Sequence, residues 1–382
     1  MPKFPKLTET FIERDISKLV ELGNLDVKVL FLEKGEGKMS EFSSSVSEEA
    51  RLTWWDSFCA LRFFVTKFGR VFEVFFLIKN VYLFLKSVGY AQVFSKYNPD
   101  EIHAHFMSEP STIAMGAATI LGVPFSINAH ARDVTEYPTL EEEKVKRAKF
   151  ITVCNTNVFE VCKNFIPGAK NIFKIYHGVS RAELFSSPLT IVKPKRPVIF
   201  SGGARLVGKK GHKYLIEAAE ILSDKNYDFE VHIAGGGPLH KELQNQVKSS
   251  GLGDMVFFHG GEKGVPFDTV SQYYRIADIL VSPNIALEEG DVDGIPNALI
   301  EAALAKLPII TTDAGSILEF VEHEFNGLVV PQKSSKSLAS AIEMLLNDED
   351  LRRELGKNAQ SKAIKMFDIE RNVRELEKLL LK

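Results

Sequence analysis

Residues 289 to 302, EGDVDGIPNALIEA, set Glu289, Asp291 and Asp293 on alternate positions, follow them with Gly294 and finish on Glu301 in an Ala-rich helical run. Such a pattern suggests a hard cation first. Glu289, Asp291, Asp293 and Gly294 fit the first, third, fifth and sixth places of an EF-hand loop, but the twelfth is Ile300 and the carboxylate of Glu301 comes one residue late. The Asp291-Val292-Asp293 triplet also mimics short acidic motifs that hold Mn²⁺ or Mg²⁺, and a three-residue match carries little information. The alternative chemistry is recognition of an anion and of hydroxyl groups. Pro296 lies near the expected first helical position and Asn297 is a cap candidate, so a helix starts between Asp293 and Glu301. The N–H groups of Gly294, Ile295 and Asn297 would then face an anion, while the two carboxylates accept hydrogen bonds from hydroxyls. A nucleotide sugar offers both kinds of group.

These residues need a frame. From residue 197 onward, the short runs PVIFSGG (197–203), FEVHIAG (229–235), MVFFHG (255–260), ADILVSP (277–283), LPIITT (307–312) and GLVVP (327–331) alternate with helical segments such as HKYLIEAAEIL (212–222) and NALIEAALA (297–305). That alternation predicts a parallel, doubly wound sheet. A second, less regular series runs through LDVKVLFLE (25–33), DEIHAHF (100–106), VPFSINAH (123–130), FITVCN (150–155) and IFKIYHG (172–178). The Pro-rich segment SSPLTIVKPKRP (186–197) reads as a linker between the two. At the start, Thr10 and Glu13 have capping-box spacing and the first helix opens with no strand before it, so the first strand of that sheet is expected to be missing. His103 and His105 are expected on opposite faces of their strand, and therefore not as joint ligands of one metal.

The chain has 382 residues, enough for two domains, and 47 Lys plus Arg against 50 Asp plus Glu give a net charge of -3. The basic excess that nucleic acid binding requires is absent. Three cysteines, Cys59, Cys154 and Cys162, show no metal-ligand spacing, and no charged-then-apolar leader opens the chain, so a cytoplasmic location is expected. Residues 54 to 94 are dense in aromatics, including Trp54, Trp55, Phe58, Phe68, Phe72, Phe75 and Phe76, interleaved with Arg62, Lys67, Arg70, Lys79 and Lys86. This stretch suits either helices covering a sheet or a peripheral contact with a bilayer headgroup zone, at the inner face of the membrane.

The acidic run and the segment after it, AALAKLPIITTDAGSILEFVEHEFNGLVVP (302–331), resemble group 1 retaining glycosyltransferases of the GT-B fold. SGGARLVGKKGHKYLIEA (201–218), IAGGGPLHKEL (233–243), ADILVSPN (277–284) and YHGV (176–179) match further blocks of that family. FPKLTETFI (4–12), IHAHF (102–106) and NAHARDV (128–134) look like members that build exopolysaccharides of the colanic acid type. The resemblance implies an α/β protein of two Rossmann-like, doubly wound domains facing a central cleft: an acceptor domain over 1–185, the linker 186–197, a nucleotide-sugar domain over 198–362, and a C-terminal helix over 363–382 expected to return to the first domain.

By the same resemblance, Arg205 and Lys210 bind the donor phosphates, Glu301 grips the ribose hydroxyls, Asp293 holds hydroxyls of the donor sugar, and His130 reaches that sugar, with Asp133 orienting it. The family usually has Glu where this chain has Asp293, about 1.5 Å shorter in reach. The implied activity is metal-independent transfer, with retention, from a UDP or GDP sugar to a hydroxyl of a saccharide or lipid-linked acceptor, without cofactor. Two other readings stay open: an isomerase acting on a nucleotide sugar, and a non-catalytic, membrane-associated assembly partner that binds nucleotide.

Overall fold

The computed structural model describes residues 3–4, 10–31, 33–34, 47–49, 52–130, 133–134, 139–288 and 290–382. Glu289 and the side chains of Thr10, Trp54 and Trp55 lie outside them, as do Ala131 and Arg132. The chain divides into two compact units, Met1–Gly178 with Ile369–Lys382, and Val179–Asp368.

In the first unit, β1 (Lys3–Phe4) pairs in parallel with β3 (Glu33–Lys34), and β2 (Val29–Phe31) with β4 (Ser47–Glu49). The strand expected to be missing before the first helix is thus present as β1; two residues are too short to show a period-two pattern. The main sheet is parallel, in the order β5 (Ile102–His105), β6 (Phe125–Ala129), β7 (Ile151–Val153), β8 (Ile172–Lys174). All five residues of β6 are buried, because helices of a parallel sheet cover both faces. His103 and His105 share a face, their rings 5.4 Å apart, which corrects the expectation of opposite faces: in a pleated strand, residues two apart point the same way. The last helix, Ile369–Leu380, packs on the first, Thr10–Leu22, burying Leu19, Phe150, Val373 and Leu376 together.

The aromatic stretch folds into helices Trp54–Ala60, Arg62–Thr66, Phe68–Leu77 and Val81–Ser95, which sort their side chains by helical spacing. Phe63, Val71, Val74, Ile78 and Phe84 are buried, while Phe58, Phe68, Phe72, Phe75, Phe76 and Tyr82 each remain between 48% and 61% exposed. The covering function and an outward apolar face are both realised, on opposite sides of the same helices. Among the described residues, no helix is long and apolar enough to cross a membrane.

The second unit holds a six-stranded parallel sheet in the order β11 (Val256–His259), β10 (Glu230–Ala234), β9 (Val198–Gly202), β12 (Ile279–Ser282), β13 (Ile309–Thr312), β14 (Leu328–Val330). Ile199, Val231, Ile233, Ile279, Val281 and Ile310 form its interior, sealed by Leu215, Leu222, Leu338 and Ile342 from helices His212–Asp224 and Ser335–Asn347. Each such aliphatic side chain contributes about 1.5–3 kcal/mol on full burial. Residues 186–197 lie in this unit, where Oε1 of Gln272 accepts the N–H groups of Thr190 and Ile191. The strand order reverses direction between β9 and β12, so the loops leaving their carboxyl ends diverge and open the crevice in which such sheets bind ligands.

Candidate functional site

Both loops at that crevice carry the residues singled out in the sequence. The loop after β9 runs through Gly203, Arg205 and a 3-10 turn, Gly208–Lys210. The loop after β12 runs from Pro283 through the acidic stretch to helix Asn297–Leu304. The two are stitched together by Ile285 N–H, which donates to the Lys209 carbonyl at 2.8 Å.

Side-chain charges complete the junction. Nζ of Lys210 lies 2.7 Å from Asp293 Oδ2, and Nζ of Lys209 lies 2.7 Å from Asp291 Oδ1 and 3.4 Å from Asp293 Oδ1. Asn284 Nδ2 donates to Asp293 Oδ2 at 2.6 Å, and Ser282 Oγ in turn donates to Asn284 Oδ1. Burial by itself would raise the Asp293 carboxyl, but the ammonium groups of Lys210 and Lys209 outweigh it and hold the group below its ordinary range. Asp293 is therefore an ionised acceptor with a fixed orientation. The acidic pair that looked like cation ligands is neutralised by this chain's own lysines.

Helix Asn297–Leu304 begins one residue earlier than a cap at Asn297 would require. Pro296 is the N-cap and Asn297 the first helical residue, because the extended backbone of Pro296 (ψ 130°) turns directly into the helix. The N–H groups of Gly294, Ile295 and Asn297 make no hydrogen bond to described residues, which leaves them available to an anion. Gly294 is not in the left-handed region; the positive φ of the acidic loop belongs to Gly290 (φ 84°), while Gly315 (φ 58°), after β13, packs where any side chain would strike the Asp293 carbonyl.

Glu301 lies one turn into that helix and is buried. Tyr274 donates its hydroxyl to Glu301 Oε2 at 3.1 Å. Gly203 (φ 68°) closes the other side: a Cβ there would come 2.8 Å from the Tyr274 hydroxyl and 3.5 Å from Glu301 Oε2. The absent side chain leaves the carboxylate a polar niche at the end of β9. Arg205, two residues further along, is exposed, and its side chain has no ionic or hydrogen-bonding partner among the described residues.

His130 belongs to the first unit, just past β6. Its ring is buried, with Nδ1 3.2 Å from Nε2 of His177, and Nε2 has no partner among the described residues. Burial first, and then the neighbouring His177, depress its pKa well below the ordinary value, leaving a neutral imidazole. His177 goes the other way: burial opposes its charge, but Asp15 and Cys154 outweigh that and push it up to about 10. Asp133 fixes the main chain and not the ring, its Oδ1 accepting the His130 N–H at 2.9 Å and its Oδ2 the N–H of Met107.

Of the residues singled out in the sequence, Lys210, Asp293 and Glu301 lie at this junction with Arg205 in the same basic loop; the fold adds Lys209, Asn284, Tyr274 and Gly203, which the sequence reading did not name. The GG of SGGARL and the second lysine of VGKKG were the available signals for Gly203 and Lys209; Tyr274 and Asn284 reach the site only through the tertiary fold.

Residues 186–362 match the family described as "Glycosyl transferases group 1". Over 99% of the chain and 97% of the relative, the sequence is 26% identical to the putative colanic acid biosynthesis glycosyltransferase WcaL of Escherichia coli K12. Among solved structures, the chain is similar to a glycosyltransferase from Rickettsia africae (TM-score 0.73, 18% identity, 99% of this chain and 96% of that one). It is also similar to HepE from Anabaena in complex with UDP (TM-score 0.69, 17% identity, 98% and 95%).

Proposed function

The chain is a group 1 glycosyltransferase of the GT-B fold, and from that premise we propose that it transfers a sugar from a UDP or GDP donor to a hydroxyl acceptor, with retention and without a metal, in polysaccharide or glycolipid assembly. The observation that carries this reading is the polar junction at the strand-order reversal of the second unit: Lys209 and Lys210 paired with Asp293, Arg205 earlier in the loop that carries those lysines, the unbonded N–H groups of Gly294, Ile295 and Asn297, and the buried Glu301. Arg205 and Lys210 face the diphosphate, which gains negative charge as the glycosidic C–O bond breaks, and fixed cations stabilise that charge as it forms. Asp293 accepts hydrogen bonds from the donor sugar. Glu301, steadied by Tyr274, takes the ribose hydroxyls.

The acceptor oxygen bonds to the anomeric carbon as the bond to the diphosphate breaks, and the acceptor proton passes to the departing phosphate oxygen on the same face. This needs no protein base. It asks the site for position and electrostatics. The exopolysaccharide assignment leans on the likeness to WcaL, and UDP as one candidate donor nucleotide on the likeness to HepE.

The direct test is turnover of UDP- and GDP-sugars with and without EDTA. Activity is expected to survive the chelator, because lysines already occupy the acidic pair. Complete loss with EDTA, restored by Mn²⁺ or Mg²⁺, would return Asp291 and Asp293 to the role of metal ligands. Donor consumption with no acceptor present would favour the isomerase reading.

The outward aromatic face supports a lipid-linked acceptor. Phe68, Phe72, Phe75 and Phe76 form a contiguous cluster (Phe72 to Phe76, 4.6 Å between rings), with Arg70 exposed on the same helix, Arg62 exposed on the helix before it and Lys79 exposed in the connection after it. Phenyl rings enter the acyl boundary while cations meet anionic headgroups. An apolar cavity in this unit, lined in part by Leu30, Tyr90, Phe94, Ile113 and Lys86, shares helix Val81–Ser95 with that face. The protein is expected to co-sediment with phosphatidylglycerol-containing vesicles at low salt and progressively less as salt rises. Failure to pellet at low salt would remove the membrane from the proposal.

A further inference from the structure

The carboxyl ends of three neighbouring strands in the first unit bring together residues that the transfer reaction does not explain as a group. His130 follows β6, Cys154 follows β7, and His177 stands three residues beyond β8. Each offers one ligand atom, and these atoms all lie within 4.8 Å of one another. The geometry points to a transition-metal site, best suited to Zn²⁺, with His130, Cys154 and His177 as its three protein ligands.

Distances fit that chemistry. Nδ1 of His130 and Nε2 of His177 are 3.2 Å apart. Two imidazole nitrogens on a tetrahedral zinc, each about 2.0–2.1 Å from it, are separated by about 3.3 Å. The two nitrogens now meet across a single proton, and zinc replaces it after a small rotation of each ring. On the far side of His177, Nδ1 lies 3.3 Å from Asp15 Oδ2. A carboxylate on the remote nitrogen is the arrangement that fixes the tautomer and orientation of a zinc-bound histidine. Asn155 Nδ2 donates to Cys154 Sγ at 3.5 Å, which steadies the sulfur in the same way.

The donor set selects the metal. One thiolate with two imidazoles favours zinc, and disfavours Mg²⁺ and Ca²⁺, which prefer oxygen. Three protein ligands leave a fourth position for water. Binding releases the proton shared by the histidines and that of the Cys154 thiol. The ligands sit on strand ends, so little ordering has to be achieved on binding. None of this depends on the transfer reaction; only one consequence rests on that reading, namely that zinc would take His130 away from it.

The test uses reduced, metal-free, full-length protein titrated with Co²⁺. The expected result is one equivalent bound, with a thiolate-to-cobalt charge-transfer band and the intense visible bands of four-coordinate cobalt, both erased by added Zn²⁺. Cys154→Ser, checked for folding by circular dichroism, is expected to lose the charge-transfer band. Asp15→Asn is expected to weaken zinc about tenfold to a hundredfold in competition with a chromophoric chelator, with the band intact. Absence of the band in the unaltered protein overturns the site, and so does its persistence in Cys154→Ser, which would move the metal to another cysteine.

Discussion

Arg205→Ala is expected to lower turnover of the nucleotide sugar by about a hundredfold, the scale on which loss of one charge-stabilising donor acts, while leaving the melting temperature unchanged. The separation of the two readouts follows from its surroundings. The Arg205 side chain is exposed and holds no partner among the described residues, so truncating it removes a cation without breaking a hydrogen bond or ion pair. Lys210→Ala is expected to reduce turnover on a similar scale but to shift stability as well, since Asp293 then keeps only Lys209 at 3.4 Å and Asn284. Steady-state kinetics beside thermal unfolding would distinguish them. If neither variant altered the kinetics, the phosphate assignment would be lost and the two residues would be surface charges of a loop.

The second large effect separates the two carboxylates. Asp293→Asn removes the acceptor turned toward the sugar and releases Lys210, so turnover should fall steeply while affinity for the bare nucleoside diphosphate stays level or tightens. Glu301→Gln should act in the opposite sense. Hydrogen bonds to a charged group are worth about 1.5–3 kcal/mol each, so replacing the buried carboxylate is expected to weaken the diphosphate roughly tenfold or more. Tyr274 would keep a carbonyl oxygen to donate to, which protects the fold in this variant. Calorimetric titration with UDP and GDP, set beside turnover, reads both. Should nucleotide affinity follow Asp293 and not Glu301, the clamp would have to be reassigned.

The strands of the second unit are legible because each is a short apolar run between helical stretches, and their parallel burial on both faces leaves no polar alternation to confuse the pattern. The two carboxylates and the basic loop are legible because their spacing brackets a helix start. Ion pairs are another matter. Nothing in VGKK and GDVDG, separated by some eighty residues, tells which lysine meets which aspartate; that depends on how β9 and β12 neighbour one another. The same holds for Tyr274, whose aromatic ring reads as core and whose hydroxyl finds Glu301 only after folding. Pro296 misled the assignment of Asn297 because a proline suits the first helical position and the cap alike, and only its ψ decides. The aromatic stretch sorted by simple geometry: positions 71, 74 and 78 face inward, while 68, 72, 75 and 76 do not.

The last helix carries a consequence for how the protein is made. Helix Ile369–Leu380 completes the unit that contains residue 1, with Val373 and Leu376 packed against Leu19 and Phe150. On the ribosome, domains tend to fold as they emerge, from the amino end first. Here the order is inverted: the unit begun first takes in Ile369–Lys382, so it closes only after residues 179–368, the whole of the other unit, have been synthesised. Until then Ile12 and Ile16 already have Val29 and Phe31 against them, but Leu19 and Phe150 lack Val373 and Leu376, so substitutions in Ile369–Leu380 act on the unit that holds Thr10–Leu22. A polypeptide cut after residue 368 would be impaired in the unit formed by residues 1–178, far from the cut in sequence.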